Sequence, residues 1–462
     1  LPMVANAQLY QDASNSTAAI VRDPARQTST EIDAVISNPA GTAFMNDGLH
    51  FSLSGKVSKR SIELNYEGNE ATNTARDLLP SLQAVFKKGR WSFSASFANE
   101  GGYGFWCPSE SPLANFSINN HNDFWWTHEK KMNEIWGNNA YGIDETDKLM
   151  SRMNVSGDLY NYTIRLGVAK QFGKLSAYLG IRTNYVTEKT ELDVYRWVEK
   201  GGYQIYPQIS PYQYFSFGQE WYNNDIERYK NHPNHYETDC PRMNGWGFSP
   251  VVGLDFKTGK FNFALKYEFE AKIHTNDGFS SFHIPAVLSG GASWQILNNL
   301  KFAVGGTFTH QKARDANGKD YLYGMSQTSK SDPNFSFFPE HSPLLPKWGA
   351  DNVDRTSTSF NVSASISFSP FNRFLISLGY TYASRGSLYK SIYPLSLAIP
   401  VNLKFDMLSG GFCYQFSDNV KFDFGVSKVL PASGAHFQTL NVQTFDNIQT
   451  LNVSAGISVN LK

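Results

Sequence analysis

Between Lys260 and Ile273 apolar and polar residues alternate, with Ala264 the one small exception. Phe261, Phe263, Leu265, Tyr267, Phe269, Ala271 and Ile273 fall on one face, and Asn262, Lys266, Glu268, Glu270 and Lys272 on the other. A period of two is the mark of an extended strand with two unlike faces. One such segment would suit a soluble sheet equally well, but the pattern recurs. It returns near His50–Ser61, Pro80–Phe86, Trp91–Phe97, Tyr162–Phe172, Lys174–Thr187, Trp246–Phe256, Ile284–Trp294, Leu300–Thr309, Ser359–Ser369, Arg373–Tyr382, Lys404–Phe416, Val420–Lys428 and Thr450–Lys462. Together these make about fourteen strands. Many exceed the roughly five or six residues usual in soluble sheets and suit tilted membrane crossings of about 9–11 residues.

A soluble chain of 462 residues would usually divide into two or three domains. Composition argues for a membrane barrel instead. Aromatics are 15% of the chain and charged residues 18%, yet no window approaches the roughly 18 apolar residues that a membrane helix needs. Weak overall hydrophobicity fits a barrel, in which only alternate residues face lipid. The 41 basic and 41 acidic residues balance, so a nucleic-acid partner is not expected.

The connections separate into two sorts. Tight turns at Lys87–Arg90, Phe172–Lys174, Lys257–Lys260, Leu297–Leu300, Ser369–Asn372 and Ser417–Asn419 carry the Gly and Asn that hairpins favour. Long connections run over Asn99–Asn161, Glu188–Gly245, His310–Thr358, Ala383–Leu403 and Val429–Gln449. Short turns on one side and long loops on the other describe a barrel of the bacterial outer membrane, with the short turns periplasmic. The expectation is a monomeric, all-β, transmembrane antiparallel barrel whose partners include outer-membrane lipid. Leu175, Ala177, Leu179 and Ile181, like Phe360, Val362, Ala364, Ile366 and Phe368, should meet lipid, while Ser176, Arg182, Asn184, Asn361, Ser363, Ser365 and Ser367 line the interior. The last strand should pair with the first and leave no edge, although it ends in Lys462 and not in an aromatic residue.

Residues 1–7 read as the remnant of a secretory signal, with Ala5-Asn6-Ala7 as the cleavage site and Gln8 as the new terminus, or as an ordinary terminus. Residues 8–48 hold Ala18–Val21 and Ala34–Ile36, which are costly to leave in water. A barrel of this size has room inside, so residues 8–48 are expected to fold into the lumen as a hatch, with residues 49–462 forming the barrel. Asn38-Pro39-Ala40-Gly41, just before the first strand, is by itself an ordinary turn or helix start.

Asn99-Glu100-Gly101-Gly102-Tyr103-Gly104 puts three glycines at a strand end. Such a run weakens the ladder and marks a bulge or bend, or it simply begins a loop. Tyr103, Phe105, Trp106, Phe116, Phe124, Trp125, Trp126 and Trp136 follow. They suit an apolar landing site for a ligand or an interfacial aromatic belt; Tyr203–Tyr229 is similarly aromatic. Arg165, Arg182 and Lys266 fall on lumen faces, where they would meet a ligand carboxylate or pair with acids such as Glu268 and Glu270.

Catalytic constellations are absent from the sequence: it has no HExxH, GxSxG or phosphate loop. No enzyme activity or cofactor is expected. His121 and His128 stand alone, and His232-Pro233-Asn234-His235 reads as polar loop before it reads as a metal site. Cys107, Cys240 and Cys413 have no metal spacing; they are free thiols or include one Cys107–Cys240 bridge.

Ser37-Asn38-Pro39-Ala40 leading into Gly48-Leu49-His50-Phe51, with the stretch Trp91–Gly104, the run Gly245–Phe248 followed by Lys266-Tyr267 and Ile284-Pro285, and Ile399-Pro400 before Leu408–Gly411, resembles the FadL/TodX family of outer-membrane transporters of long-chain fatty acids and other hydrophobic compounds. The sequence departs from that family where Ile20–Ala25 replaces a Gly-Arg-Ala-rich stretch. The resemblance implies a hatch carrying Asn38, Pro39 and Ala40. It also implies a third strand kinked inward at Asn99, Gly101, Gly102 and Gly104 to open the wall, and a hydrophobic small-molecule ligand such as a fatty acid that leaves sideways into the bilayer. Phe105, Trp106, Phe124, Trp125 and Trp126 are the expected landing residues. A barrel of the same fold serving as a partner in protein secretion or surface attachment is the alternative.

Overall fold

The computed structural model describes residues 17–66, 69–107, 148–200, 203–205, 235–239, 242–275, 281–312, 356–384, 404–430 and 445–461. Its strands are β1 Gly48–Tyr66, β2 Asn69–Lys88, β3 Trp91–Cys107, β4 Lys148–Phe172, β5 Leu175–Lys200, β6 Tyr203–Ile205, β7 His235–Asp239, β8 Met243–Thr258, β9 Phe261–Glu268, β10 Ala271–Thr275, β11 Ser281–Ile284, β12 Val287–Leu297, β13 Leu300–Lys312, β14 Thr356–Phe371, β15 Phe374–Ser384, β16 Lys404–Gln415, β17 Val420–Val429 and β18 Phe445–Leu461. All described pairings are antiparallel, β5 pairs with β8 and β9 with β12 across the short strands between them, and β18 returns to β1 from Leu49↔Leu461 up to Leu64↔Phe445. The ring is therefore closed. β9 with β10, and β11 with β12, are single staves interrupted once. β6 and β7 pair alongside the far end of β5, which leaves fourteen staves in the wall.

Closure fixes which side chains meet what. Leu53, Leu179, Val362 and Leu378 are all more than half exposed on the outside, whereas Ser52, Ser54, Ser363, Ser365 and Ser454 are buried on the inside. At the seam Ser458 Oγ donates to Ser52 Oγ at 3.1 Å. A closed ladder leaves no unpaired backbone edge, which is the condition for a β-structure to lie in hydrocarbon. The described helices fall in the N-terminal segment, α1 Ala18–Arg22 and α2 Ala34–Ser37; none is long and apolar enough to cross a membrane.

Several sequence-based boundaries need correction. β1, β2, β4 and β5 run well beyond the alternating cores of those segments, because their outer ends lose the apolar face while keeping the ladder. The expected Asn99–Asn161 loop is partly strand, since β3 continues to Cys107 and β4 begins at Lys148. Ala271 and Ile273 do not share the outer face of Phe261–Phe269; both are fully buried. The cause is the break at Phe269–Glu270, directly beside Pro285–Ala286 on the next stave. Proline cannot donate to a ladder, and both staves change phase together, so Ala271 still pairs with Ile284 and Val287 with Glu268.

If the outer face lies in lipid, Leu179→Arg should reduce folding stability in liposomes by about 2–4 kcal/mol, with the cost shrinking towards the band edges. Urea titration of the reconstituted barrel measures it, and a change no larger than that of Leu179→Phe would contradict a lipid-facing wall.

Candidate functional site

The N-terminal segment packs against lumen-facing side chains from several sectors of the ring. Thr17 caps α1, its hydroxyl accepting from Ile20 N. Ala18, Ile20, Ala34 and Val35 are buried, which answers the cost of exposing those runs to water. Val35 and Ile32 pack on Val85 of β2, and Ala40 and Ala43 on Ala169, Tyr178 and Val251.

Asn38-Pro39-Ala40-Gly41 is held from several strands at once. The Asn38 amide donates to Ser29 O at 3.0 Å and to the fully buried Asp255 carboxylate of β8. Asn262 of β9 donates to Thr28 O at 3.0 Å and to Asp255 at 3.3 Å. Pro39 starts a 3-10 helix to Phe44, as its fixed φ permits. Ser176 of β5 donates to Ala40 O at 2.7 Å, and Ser92 of β3 to Thr42 Oγ1 at 2.9 Å. At Gly41 an added Cβ would sit 2.2 Å from Ser29 O, a backbone atom. Only glycine lets this turn close on itself.

The stretch that departs from the family pattern is also engaged. Arg22, fully buried, donates to Ser377 of β15 and at 3.0 Å to Asp423 of β17. Pro24 occupies the space that a side chain at Gly379 would need, and the backbone of Ala18 and Arg22 lies where one at Gly425 would fall. Arg26 donates at 2.9 Å to Ser29, Glu31 and Asp33. Burial works against the charge on Arg26, yet Asp33, Glu31 and Asp23 hold its pKa well above the ordinary value. Lys421 of β17, 2.8 Å from Glu31, is the main cause that keeps this carboxyl well below the usual carboxylate range; burial opposes it and Arg26 assists.

A second cluster joins this segment to the wall. Arg165 of β4 grips Glu100 through both nitrogens, one contact being 2.7 Å, and lies 3.2 Å from Glu268. Arg182 of β5 also pairs with Glu268, and Lys266 reaches Glu268 at 2.6 Å and Ile36 O at 2.7 Å. All five side chains are buried, and pairing is what makes that tolerable.

Glu100 keeps the inward phase of Ser92, Ser94 and Ser96 and so reaches this cluster, while β3 becomes irregular beside it. The β3–β4 register slips between Asn99 and Gly101, the mark of a bulge, and Asn99 and Glu100 are both buried although consecutive. Beyond the slip Gly101, Gly102 and Gly104 still pair with Asn161, Tyr160 and Asp158 of β4. On the other side, the described β2–β3 pairing runs from Lys88↔Trp91 only to Ser81↔Ala98. Asn69–Pro80 of β2 and Asn99–Cys107 of β3 thus continue without a described ladder between them. Pro80, which has no N–H, stands where the ladder stops. Tyr160, opposite Gly102, places its hydroxyl 3.5 Å from Asp77 of β2.

The structure thus brings Asn38, Pro39 and Ala40 onto the wall and sets Asn99, Gly101, Gly102 and Gly104 in one irregular strand. Phe105 and Trp106 lie on β3 and not in a loop. Phe124, Trp125 and Trp126 lie outside the described residues, as do Cys240, His121, His128, His232, residues 1–16 and most of Tyr203–Tyr229. Cys413 is free. Sequence reasoning passed over Asp255, Glu100 and the inward glycines Gly379 and Gly425. Their signal is a charge or a missing side chain in the inward phase of a strand.

Two outcomes follow from this seat. Gly41→Ala should prevent Asn38–Thr42 from closing, so limited proteolysis within residues 17–45 should accelerate at least tenfold; cleavage at the parent rate would show that the close approach is unimportant. Glu31 has a depressed folded pKa, so its stabilisation is present above the unfolded value and is lost as pH falls through the lower, folded one. Protection of the segment should therefore persist at neutral pH and fail only below about pH 4, and failure near pH 6 would contradict the assignment.

No protein-family model matches the chain, and no curated protein matches its sequence. Solved structures do match its fold. A mutant of the TodX monoaromatic hydrocarbon channel is 16% identical with a TM-score of 0.60, covering 97% of this chain and 100% of its own. The Pseudomonas putida toluene transporter TodX is 17% identical at 0.57, covering 99% and 98%. A Pseudomonas aeruginosa FadL homologue is 11% identical at 0.58, covering 97% and 98%. At these identities the likeness concerns architecture, and over nearly its whole length this chain has the fold of the FadL and TodX barrels.

Proposed function

We propose that this barrel carries small hydrophobic compounds across the bacterial outer membrane, releasing them sideways through the wall between β2 and β3. The observation that supports this most is the end of the β2–β3 ladder at Ser81↔Ala98, followed at once by the bulge at Glu100 and by glycines without side chains. In lipid an unpaired edge is costly, so a ladder that stops calls for a reason. The toluene transporter and the FadL homologue that share the fold are consistent with a hydrophobic cargo. In this reading residues 17–45 act as the hatch, Asn38–Ala40 fasten it to the wall, and Phe105 and Trp106 belong to the landing surface.

Long-chain fatty acids are the finer proposal. Among the described residues Arg165, Arg182 and Lys266 pair with Glu100 and Glu268, three cations against two anions, and a ligand carboxylate would balance them. A partner in secretion or surface attachment would need neither the interrupted ladder nor this surplus, so that reading is the weaker one.

Replacing Gly101 and Gly102 with Val restores strand propensity and fills the space beside β2. The barrel should still fold, while uptake of a labelled hydrophobic substrate by cells should drop at least tenfold. Normal uptake by the double variant would overturn lateral release, and co-purification of secretion components with an uptake-silent parent would favour the other reading.

A further inference from the structure

The outer faces of β2, β1, β18 and β17 change character at one level. On β2 the outward series runs Leu78, Arg76, Thr74; on β1 it runs Val57, Lys59, Ser61; on β18 it runs Val453, Leu451, Gln449. On β17 Val426 is followed by Lys428. The register aligns them, with Arg76 directly opposite Lys59, Lys59 opposite Leu451, and Leu451 opposite Lys428. Apolar side chains thus give way to a row holding three exposed cations, and above it on β2, β1 and β18 to polar residues. Of the groups near this row, Asp406 on β16 accepts from the Tyr380 hydroxyl. The outward neighbours just above and below Lys59 and Arg76 are uncharged, and none of the three cations has an ion pair or hydrogen bond among the described residues.

Two like charges directly opposite on a sheet repel, and they do so more strongly where lipid lowers the dielectric. A lone Lys or Arg at such a border extends its head to water, but a facing pair with a third cation in the same row forms a fork for an anion. The row lies towards the ends opposite the short turns at Gly89, Gly173 and Gly259, the outer side in the reading proposed above. Lipid headgroups there present phosphate, which a guanidinium binds by two parallel N–H donors and an ammonium as a point charge. We propose that Arg76, Lys59 and Lys428 seat the phosphates of an anionic outer-leaflet glycolipid of the lipid A type. The seat flanks the part of β2 that lies beyond its ladder with β3. It rests on the outer-membrane placement, not on transport.

Native mass spectrometry of the full chain in detergent, stripped of lipid and titrated with diphosphorylated lipid A, tests this without any uptake assay. The parent should hold one lipid A per barrel. Lys59→Gln with Arg76→Gln should lower its occupancy at least tenfold, Lys428→Gln by less, and Lys59→Arg should retain it. Inorganic phosphate at millimolar concentration should not displace the lipid, and circular dichroism should report intact sheet in each variant. If the double variant misfolds, dephosphorylated lipid A offered to the parent makes the same test and should bind at least tenfold more weakly. Equal binding of the dephosphorylated lipid, equal binding by a folded double variant, or displacement by inorganic phosphate would each overturn the proposal.

Discussion

A backbone amide in hydrocarbon has no water to turn to, so every N–H and C=O in the lipid-spanning part of this chain must find a partner within the wall. The pairing of β18 with β1 meets that demand. Once the ring is closed, the phase of each strand is set, because a shift of one residue would turn the serine-rich face to lipid and the leucines inward. Even the interruption at Phe269–Glu270 obeys this, since its neighbour breaks at Pro285–Ala286 and the two staves change phase together. The end of the β2–β3 ladder at Ser81↔Ala98 stands out against that background. Beyond that pair Asn69–Pro80 of β2 runs on with no described ladder to β3.

What lies behind the parted strands is ordered. Glu100, on the inner face beside the bulge, is held by Arg165, which shares Glu268 with Arg182 and Lys266, and Lys266 binds the carbonyl of Ile36 at the end of α2. The wall irregularity and the N-terminal segment are thus joined by a short chain of buried charge-assisted contacts. Such a network is costly to leave half satisfied, so a movement of the segment and a movement of β3 would each be felt by the other.

Much of the barrel was legible because period-two alternation depends only on the difference between lipid and lumen. Lys260–Phe269 and Ser359–Ser369 show it without interruption. Legibility failed where that difference fades. The outer halves of β1, β2, β4 and β5 leave the apolar band, lose their alternation, and read as loop although the ladder continues. Ala271 and Ile273 were misplaced because alternation says nothing of a break that flips the phase. The Asn38-Pro39-Ala40 turn was visible as a motif, but its partner Asp255 was not, since the contact spans 217 residues of sequence and leaves no local trace. Gly379 and Gly425 were equally silent, because a glycine in a strand does not announce what will lie against it.

In the function proposed above, ligand passes between β2 and β3. That passage can be tested by tying those strands together: cysteines at Asp77 and Gly102, in a chain whose native cysteines are serines, joined by a short reducible cross-linker. Uptake of a labelled hydrophobic substrate should stop when the link forms and return when it is reduced. Uptake that continues at the same rate with the strands tied would show that the wall is not the exit.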